Sequence, residues 1–227
     1  INDARTASVV DTIVQAHEGA KCVKLHYLGA MDKLLTVGFS KQSQRQFKIW
    51  DPRNTSKEIK KVDIDQASGA IMPFFDPDTQ ILYLCGKGDG NIRYYEISDT
   101  APFVHPIEDF KSSVSCKGCA MVPKRSLNIM SHETARLLKL TTNSVEPLSF
   151  YVPRKGDSFQ DDIFPDTYAG IPAHTADEWM DGSSLPPALK TLNPSGVSSS
   201  APTSPPKVLA RPKSSAVLTT ELETANA

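Results

Sequence analysis

The chain has 227 residues, 39% of them apolar and 22% charged, with a formal net charge of -1. That composition fits a globular protein with one main domain and excludes collagen-like and wholly disordered chains. It holds no run of 18 apolar residues that would read as a membrane span. It also lacks the basic excess of a dedicated nucleic-acid binder.

Residues 1–14 read as the end of an earlier structural repeat, and the start at Ile1-Asn2-Asp3 without a methionine suggests a fragment or a processed chain. No basic, apolar and cleavage regions follow in the order of a secretory signal. Residues 22–28 alternate with period two, and 34–39 form a nearly continuous apolar run, the pattern of a strand buried on both faces. Residues 81–85 are the same element one repeat later. Turn residues fall between the runs: Asp76-Pro77-Asp78, and Gly88-Asp89-Gly90-Asn91. A single short helix is predicted near 175–180, with Thr175 as its cap and acidic residues in its first turn.

Apolar runs end at Trp50-Asp51, at Tyr95-Glu96 45 residues later, and at Lys139-Leu140 a further 44 on. Four short strands per roughly 45 residues is the period of a β-propeller blade. The first repeat carries Trp50-Asp51 with His17 33 residues upstream, the marks of a WD repeat. In such repeats a buried hydrogen-bond chain joins the His to the Trp through a Ser or Thr and a turn Asp. The turn after Phe39 has no Asp, whereas Asp89 occupies that turn in the second repeat. Three blades are expected, about 22–64, 70–110 and 116–152. Three cannot close a ring, so the chain reads as the C-terminal half of a larger propeller.

The four cysteines, Cys22, Cys85, Cys116 and Cys119, are too few for a disulfide scaffold and read as thiols of a reducing compartment. Cys116-Lys117-Gly118-Cys119 has no second ligand pair at zinc spacing and reads as two strand cysteines. Gly86-Lys87-Gly88-Asp89-Gly90 leads into a strand, so it is a turn and not a phosphate loop. His132-Glu133 lacks the second His of a metalloprotease helix. No nucleophile with a base and an orienting group is recognisable, so neither an enzyme nor a cofactor or metal site is expected.

The composition changes after residue 181. Residues 182–227 contain no aromatic residue, and 16 of the 46 are Ser or Pro, as in Ser204-Pro205-Pro206. Such a segment cannot offset a backbone entropy of roughly 1–2 kcal/mol per residue, so it is predicted to be a disordered linker. Residues 143–181 hold Phe150, Tyr151, Phe159, Phe164, Tyr168 and Trp179, too much aromatic surface to leave in water, and are predicted to pack on the blades as a strap.

Several stretches resemble the coronin family of actin-binding propellers. They include Ala16-His17-Glu18-Gly19, Val37-Gly38-Phe39-Ser40 through Trp50-Asp51-Pro52, and Pro73-Phe74-Phe75-Asp76-Pro77-Asp78-Thr79. Cys85-Gly86-Lys87-Gly88-Asp89 through Ile97, Met121-Val122-Pro123-Lys124-Arg125 and Val152-Pro153-Arg154-Lys155 continue the series, with Phe159 through Thr167 and Glu178-Trp179 at its end. The resemblance covers about 1–181. It implies an all-β fold: the last three blades of a seven-bladed WD-repeat propeller (1–142), an extension packed on it (143–181), and a disordered Ser/Pro-rich linker (182–227). No heptad pattern follows, so a coiled coil is not expected here.

The function it implies is non-catalytic binding of actin filaments in the cytoplasm and cell cortex, together with regulators of filament branching and disassembly. The rival readings are a general WD-repeat scaffold, for instance in membrane traffic, without intrinsic actin affinity, and an enzyme using the propeller face. Actin filaments are acidic, so basic surface is the candidate contact: Lys57, Lys60 and Lys61 on an outer strand, and Lys124, Arg125, Arg154 and Lys155 in turns. His17, Trp50, Asp51 and Asp89 are assigned structural roles as WD marks.

Overall fold

The structure is a computed structural model that describes residues 1–156 and 158–196. Strands β1 (Asn2–Asp3) and β2 (Ser8–Val9) form an N-terminal hairpin. A four-stranded sheet follows, of β3 (Lys24–Tyr27), β4 (Leu34–Phe39), β5 (Arg45–Trp50) and β6 (Lys60–Asp65). The second holds β7 (Ile71–Asp76), β8 (Ile81–Gly86), β9 (Ile92–Ile97) and β10 (Val104–Phe110). The third holds β11 (Gly118–Met121), β12 (Glu133–Leu140) and β13 (Val145–Tyr151). Each sheet pairs its strands antiparallel and in sequence order, the meander of a propeller blade. Beyond them lie β14 (Thr167–Tyr168), helix α1 (Ala176–Met180) and β15 (Leu189–Lys190).

The strand alternation explains how the blades stack. Leu82 and Leu84 of β8 enter a cluster with Leu35, Val37, Phe47 and Ile49 of the first blade. Their neighbours Ile81, Tyr83 and Cys85 point the other way, into a cluster with Ala135, Leu137, Leu148 and Phe150 of the third. A strand that must satisfy both clusters can carry no exposed face, which is why it reads as unbroken apolar sequence. Aromatic contacts reinforce both interfaces: Phe47 meets Tyr95 edge-on at 5.3 Å, and Tyr83 lies 4.8 Å from Phe150. Pro73, Pro106 and Pro147 all lie in strands at the edge of their sheets, β7, β10 and β13, where a missing N–H interrupts no central ladder.

Two expectations are corrected. The third repeat mark at Lys139-Leu140 falls on the second strand of its blade, whereas Trp50 and Tyr95 fall on the third. The connection from β11 to β12 carries two 3-10 turns, Lys124–Ser126 and Ile129–Ser131, and this longer link displaces the register. The linker predicted from residue 182 also begins inside ordered structure. β15 pairs with β14 (Thr167 opposite Lys190, Tyr168 opposite Leu189), and Leu192 packs on Val152, Ile163 and Phe164. Aromatic residues are absent there, but two backbone pairs and one leucine suffice because the strap supplies the partner surface. The rest of the predicted linker, 197–227, lies outside the described residues.

The predicted helix is present. Thr175 Oγ1 accepts from the Glu178 N–H at 3.3 Å, and Glu178 Oε2 accepts from the Thr175 N–H at 2.7 Å, a reciprocal capping box.

Candidate functional site

The WD marks of the first blade assemble around Thr36. The Trp50 indole can only donate, and it does so to Thr36 Oγ1 at 2.8 Å; His17 Nε2 lies 2.9 Å from the same oxygen. The turn Asp that the sequence lacks is replaced by Gln46, whose side-chain amide nitrogen lies 3.0 Å from His17 Nδ1. That amide donates to Nδ1, so Nε2 carries the ring proton and donates to Thr36. Desolvation by burial is the main cause that lowers the His17 pKa to about 4, so the ring is neutral at physiological pH. Gly38 makes room: a Cβ there would lie 2.5 Å from His17 Cγ. Asp51 accepts from the Arg53 N–H at 2.9 Å and shapes the turn that follows.

Asp89 does not serve such a chain in its own blade. It reaches back to the first, where its Oδ2 meets Arg45 Nη2 at 2.7 Å. Arg45 is buried and also binds Asp65 through two parallel bonds of 2.6 Å, while Arg93 Nη2 meets Asp65 at 2.7 Å. The Arg45 hydrogen bonds hold the Asp65 carboxyl below its ordinary pKa. A Cβ at Gly86 would lie 2.0 Å from Asp89 Oδ2 and 2.4 Å from Arg45 Nη1, so a side chain there would displace the charged ends of this ion cluster. The motif reading passed over Arg45, Asp65 and Gln46. For Arg45 and Gln46 the available signal was polar residues inside a strand otherwise buried on both faces; Asp65, at the end of the half-exposed β6, carried none.

The strap has a small apolar centre of its own. Ile163 and Phe164 are fully enclosed, and Val152 joins them with Phe159 and Ile129 alongside. Farther along, the Arg5 guanidinium stacks 4.7 Å from the centre of the Trp179 ring, and Arg5 Nη2 donates to the Ser183 carbonyl at 2.5 Å. The segment therefore reaches from the third blade to the N-terminal hairpin.

This packing removes one candidate contact residue. Lys124 is not an exposed turn residue: its ammonium lies 2.7 Å from Asp76, 3.3 Å from Asp78 and 5.8 Å from the centre of the Phe164 ring. Its charge is spent on fixing the β7–β8 turn beneath the strap. Burial pushes the Asp78 carboxyl above its ordinary value, with Lys124 opposing. Arg154 pairs with Asp162 inside the strap. Lys57, Arg125 and Lys155 are exposed; Lys60 is half-buried on β6, and Lys61 beside it is exposed, 3.3 Å from Asp63. Among the described residues no group of three or more His, Cys, Asp or Glu is arranged to hold a metal ion.

Residues 145–187 match a family model described as a type of WD40 repeat. Over 190 residues the chain is 50% identical to Coronin-A of Dictyostelium discoideum, an alignment covering 84% of this chain and 42% of that protein. The chain belongs to the coronin family. It superimposes with a TM-score of 0.78 on the crystal structure of the WD40 domain from Toxoplasma gondii coronin, at 34% identity over 85% of this chain and 50% of that one. The three stacked sheets are thus part of a coronin propeller, and the chain is a WD-repeat segment that spans half or less of the relatives it matches. No helix among the described residues is long and apolar enough to cross a membrane.

Proposed function

We propose that the protein carrying this chain binds actin filaments at the cytoplasmic cell cortex and docks regulators of filament branching and disassembly. Kinship carries the reading: half of the aligned residues are identical to a coronin across most of the chain. The exposed cations support it. With Lys124 committed to a buried ion pair, the contact set narrows to Lys57, Lys60 and Lys61 on the rim of the first blade, and Arg125, Arg154 and Lys155 beside the strap. Such groups steer association with an acidic filament without being needed by the fold. Val14, Val23 and Leu25, at and before the first strand of blade one, are also exposed.

Co-sedimentation of the full-length protein with filaments tests the proposal. Charge reversal of Lys57, Lys60 and Lys61 together, or of Arg125 and Lys155 together, weakens pelleting by about tenfold at low salt in at least one set, and added salt shrinks the difference. Unchanged pelleting in both sets excludes these surfaces, and no pelleting of the unaltered protein at low salt supports a general WD-repeat scaffold instead.

A further inference from the structure

The antiparallel meander of the blades places the connections 66–70, 87–91, 111–117 and 141–144 at one end of the sheets. Two of them, 87–91 and 111–117, are locked together where the second blade meets the third. The Gly88 N–H donates to the Cys116 carbonyl at 2.7 Å, and the Cys116 N–H donates to the Asp89 carbonyl at 2.7 Å. The Ser115 hydroxyl adds a bond to the Gly88 carbonyl at 3.1 Å. Lys139 of β12 closes the junction from inside. It is 0% exposed, and its ammonium donates to one carbonyl of each loop, Gly90 at 3.1 Å and Val114 at 2.5 Å.

The junction carries positive charge that nothing beside it balances. Its loops hold Lys87, Lys111 and Lys117 against one acid, Asp89. All three lysines are exposed. Among the described residues, ion pairs engage Lys33, Lys48, Lys61 and Lys124 but none of these three, nor Lys139. Asp89 does not neutralise them, because Arg45 holds its Oδ2 at 2.7 Å. A buried charge is screened by salt much less than an exposed one, so Lys139 adds a persistent positive potential under the three. The neighbouring connections 66–70 and 141–144 contain no charged residue, so the charge is concentrated at this blade junction. Val114, between Lys111 and Lys117, is 42% exposed.

We propose that this junction docks an acidic peptide segment of a partner protein, at a site separate from the cations assigned to the filament above. Carboxylates of the segment pair with Lys87, Lys111 and Lys117, and an apolar residue among them covers Val114. The confinement of charge favours a narrow peptide. A bilayer is a broad anionic plane and calls for basic groups spread over the whole end of the sheets, where 66–70 and 141–144 offer none. The loops are ordered before the segment arrives, through their mutual hydrogen bonds and the Lys139 clamp, so docking orders lysine side chains but little backbone. Exposed lysines make such binding fast and sensitive to salt.

Fluorescence anisotropy of a labelled Asp/Glu peptide with one central Leu, titrated with the full-length protein at low salt, tests this. Saturable binding is expected. Joint Lys87→Glu, Lys111→Glu and Lys117→Glu weakens it by about tenfold or more. Joint Lys57→Glu, Lys60→Glu and Lys61→Glu changes the net charge equally and leaves it unaltered. The triple change of Lys87, Lys111 and Lys117 to Gln removes charge without reversing it, and it weakens binding severalfold even if the reversed variant folds poorly. Co-sedimentation separates this site from the filament reading, because the Lys87, Lys111 and Lys117 variants pellet with filaments as the unaltered protein does. Absence of saturable peptide binding, or equal weakening by both charge reversals, overturns the proposal. Loss of pelleting in the Lys87, Lys111 and Lys117 variants also overturns it and makes the junction a filament contact. Vesicles of phosphatidylserine and phosphatidylcholine are the last control: tighter binding to them than to the peptide, abolished by the same three substitutions, assigns the junction to a membrane instead.

Discussion

Arg45 and Asp89 stand on different blades and meet at 2.7 Å, with Arg45 only 1% exposed. The guanidinium starts the third strand of the first blade, and the carboxylate hangs from the turn between the second and third strands of the second. The pair therefore fixes one blade's rotation relative to the next, a constraint that nonpolar packing alone leaves loose. Arg45→Ala strands Asp65 and Asp89 without their main cation and should cost about 3–5 kcal/mol. Arg45→Lys cannot reproduce the two parallel bonds to Asp65 and should recover only part of that. Urea unfolding of the full-length protein measures both. Because the folded Asp65 pKa lies below its ordinary 3.8, the contribution is present at neutral pH and is lost as pH falls below that value. Arg45→Ala should flatten this limb of the acid titration.

The chain from Trp50 through Thr36 to His17 predicts a second effect. Thr36→Val keeps the shape but leaves the Trp50 and His17 donors without an acceptor, at a cost of about 1–3 kcal/mol each if neither finds another. His17 adds a pH dependence. Its folded pKa of about 4 is below the ordinary 6.5, so the unfolded chain binds its proton first. Stability from this site is complete above pH 6.5 and declines as pH falls toward 4. Thermal melts across that range should show a shallower slope for His17→Gln than for the unaltered protein.

The strap is graded along its length. Phe164 is fully enclosed, so Phe164→Ala should cost about 3–5 kcal/mol. Trp179 is partly exposed and contacts Arg5 across an open edge, so Trp179→Ala should cost about 1 kcal/mol. Limited proteolysis gives an independent check: residues 155–175 resist cleavage in the unaltered protein and become sensitive in Phe164→Ala before the blades are cut.

Chains ending at 181 and at 196 should differ. The shorter one loses the β14–β15 pairing, the Leu192 contact and the carbonyl that Arg5 binds. It should melt earlier, by an amount on the order of 1–2 kcal/mol. Equal melting temperatures would show that residues 182–196 do not hold the strap in place.

Most of the blade architecture was legible from one dimension, because its determinants are local. Period-two alternation, unbroken apolar runs such as 34–39, the Asp76-Pro77-Asp78 turn, the Thr175 cap and the Trp50-Asp51 mark each depend on neighbours within a few residues. Which polar side chains meet was decided only by the tertiary structure. Gln46 in place of the missing Asp, Asp89 serving another blade, Lys124 withdrawn beneath Phe164, and Lys139 between the Gly90 and Val114 carbonyls all depend on partners supplied by a different strand or blade. The end of ordered structure followed the same rule. Residues 182–196 have little apolar content of their own, so their composition reads as disorder, yet a preformed edge at Thr167–Tyr168 and a pocket over Phe164 give their backbone and Leu192 a place to bind. Sequence fixes what a segment can bury by itself; only the folded surface fixes what it can borrow.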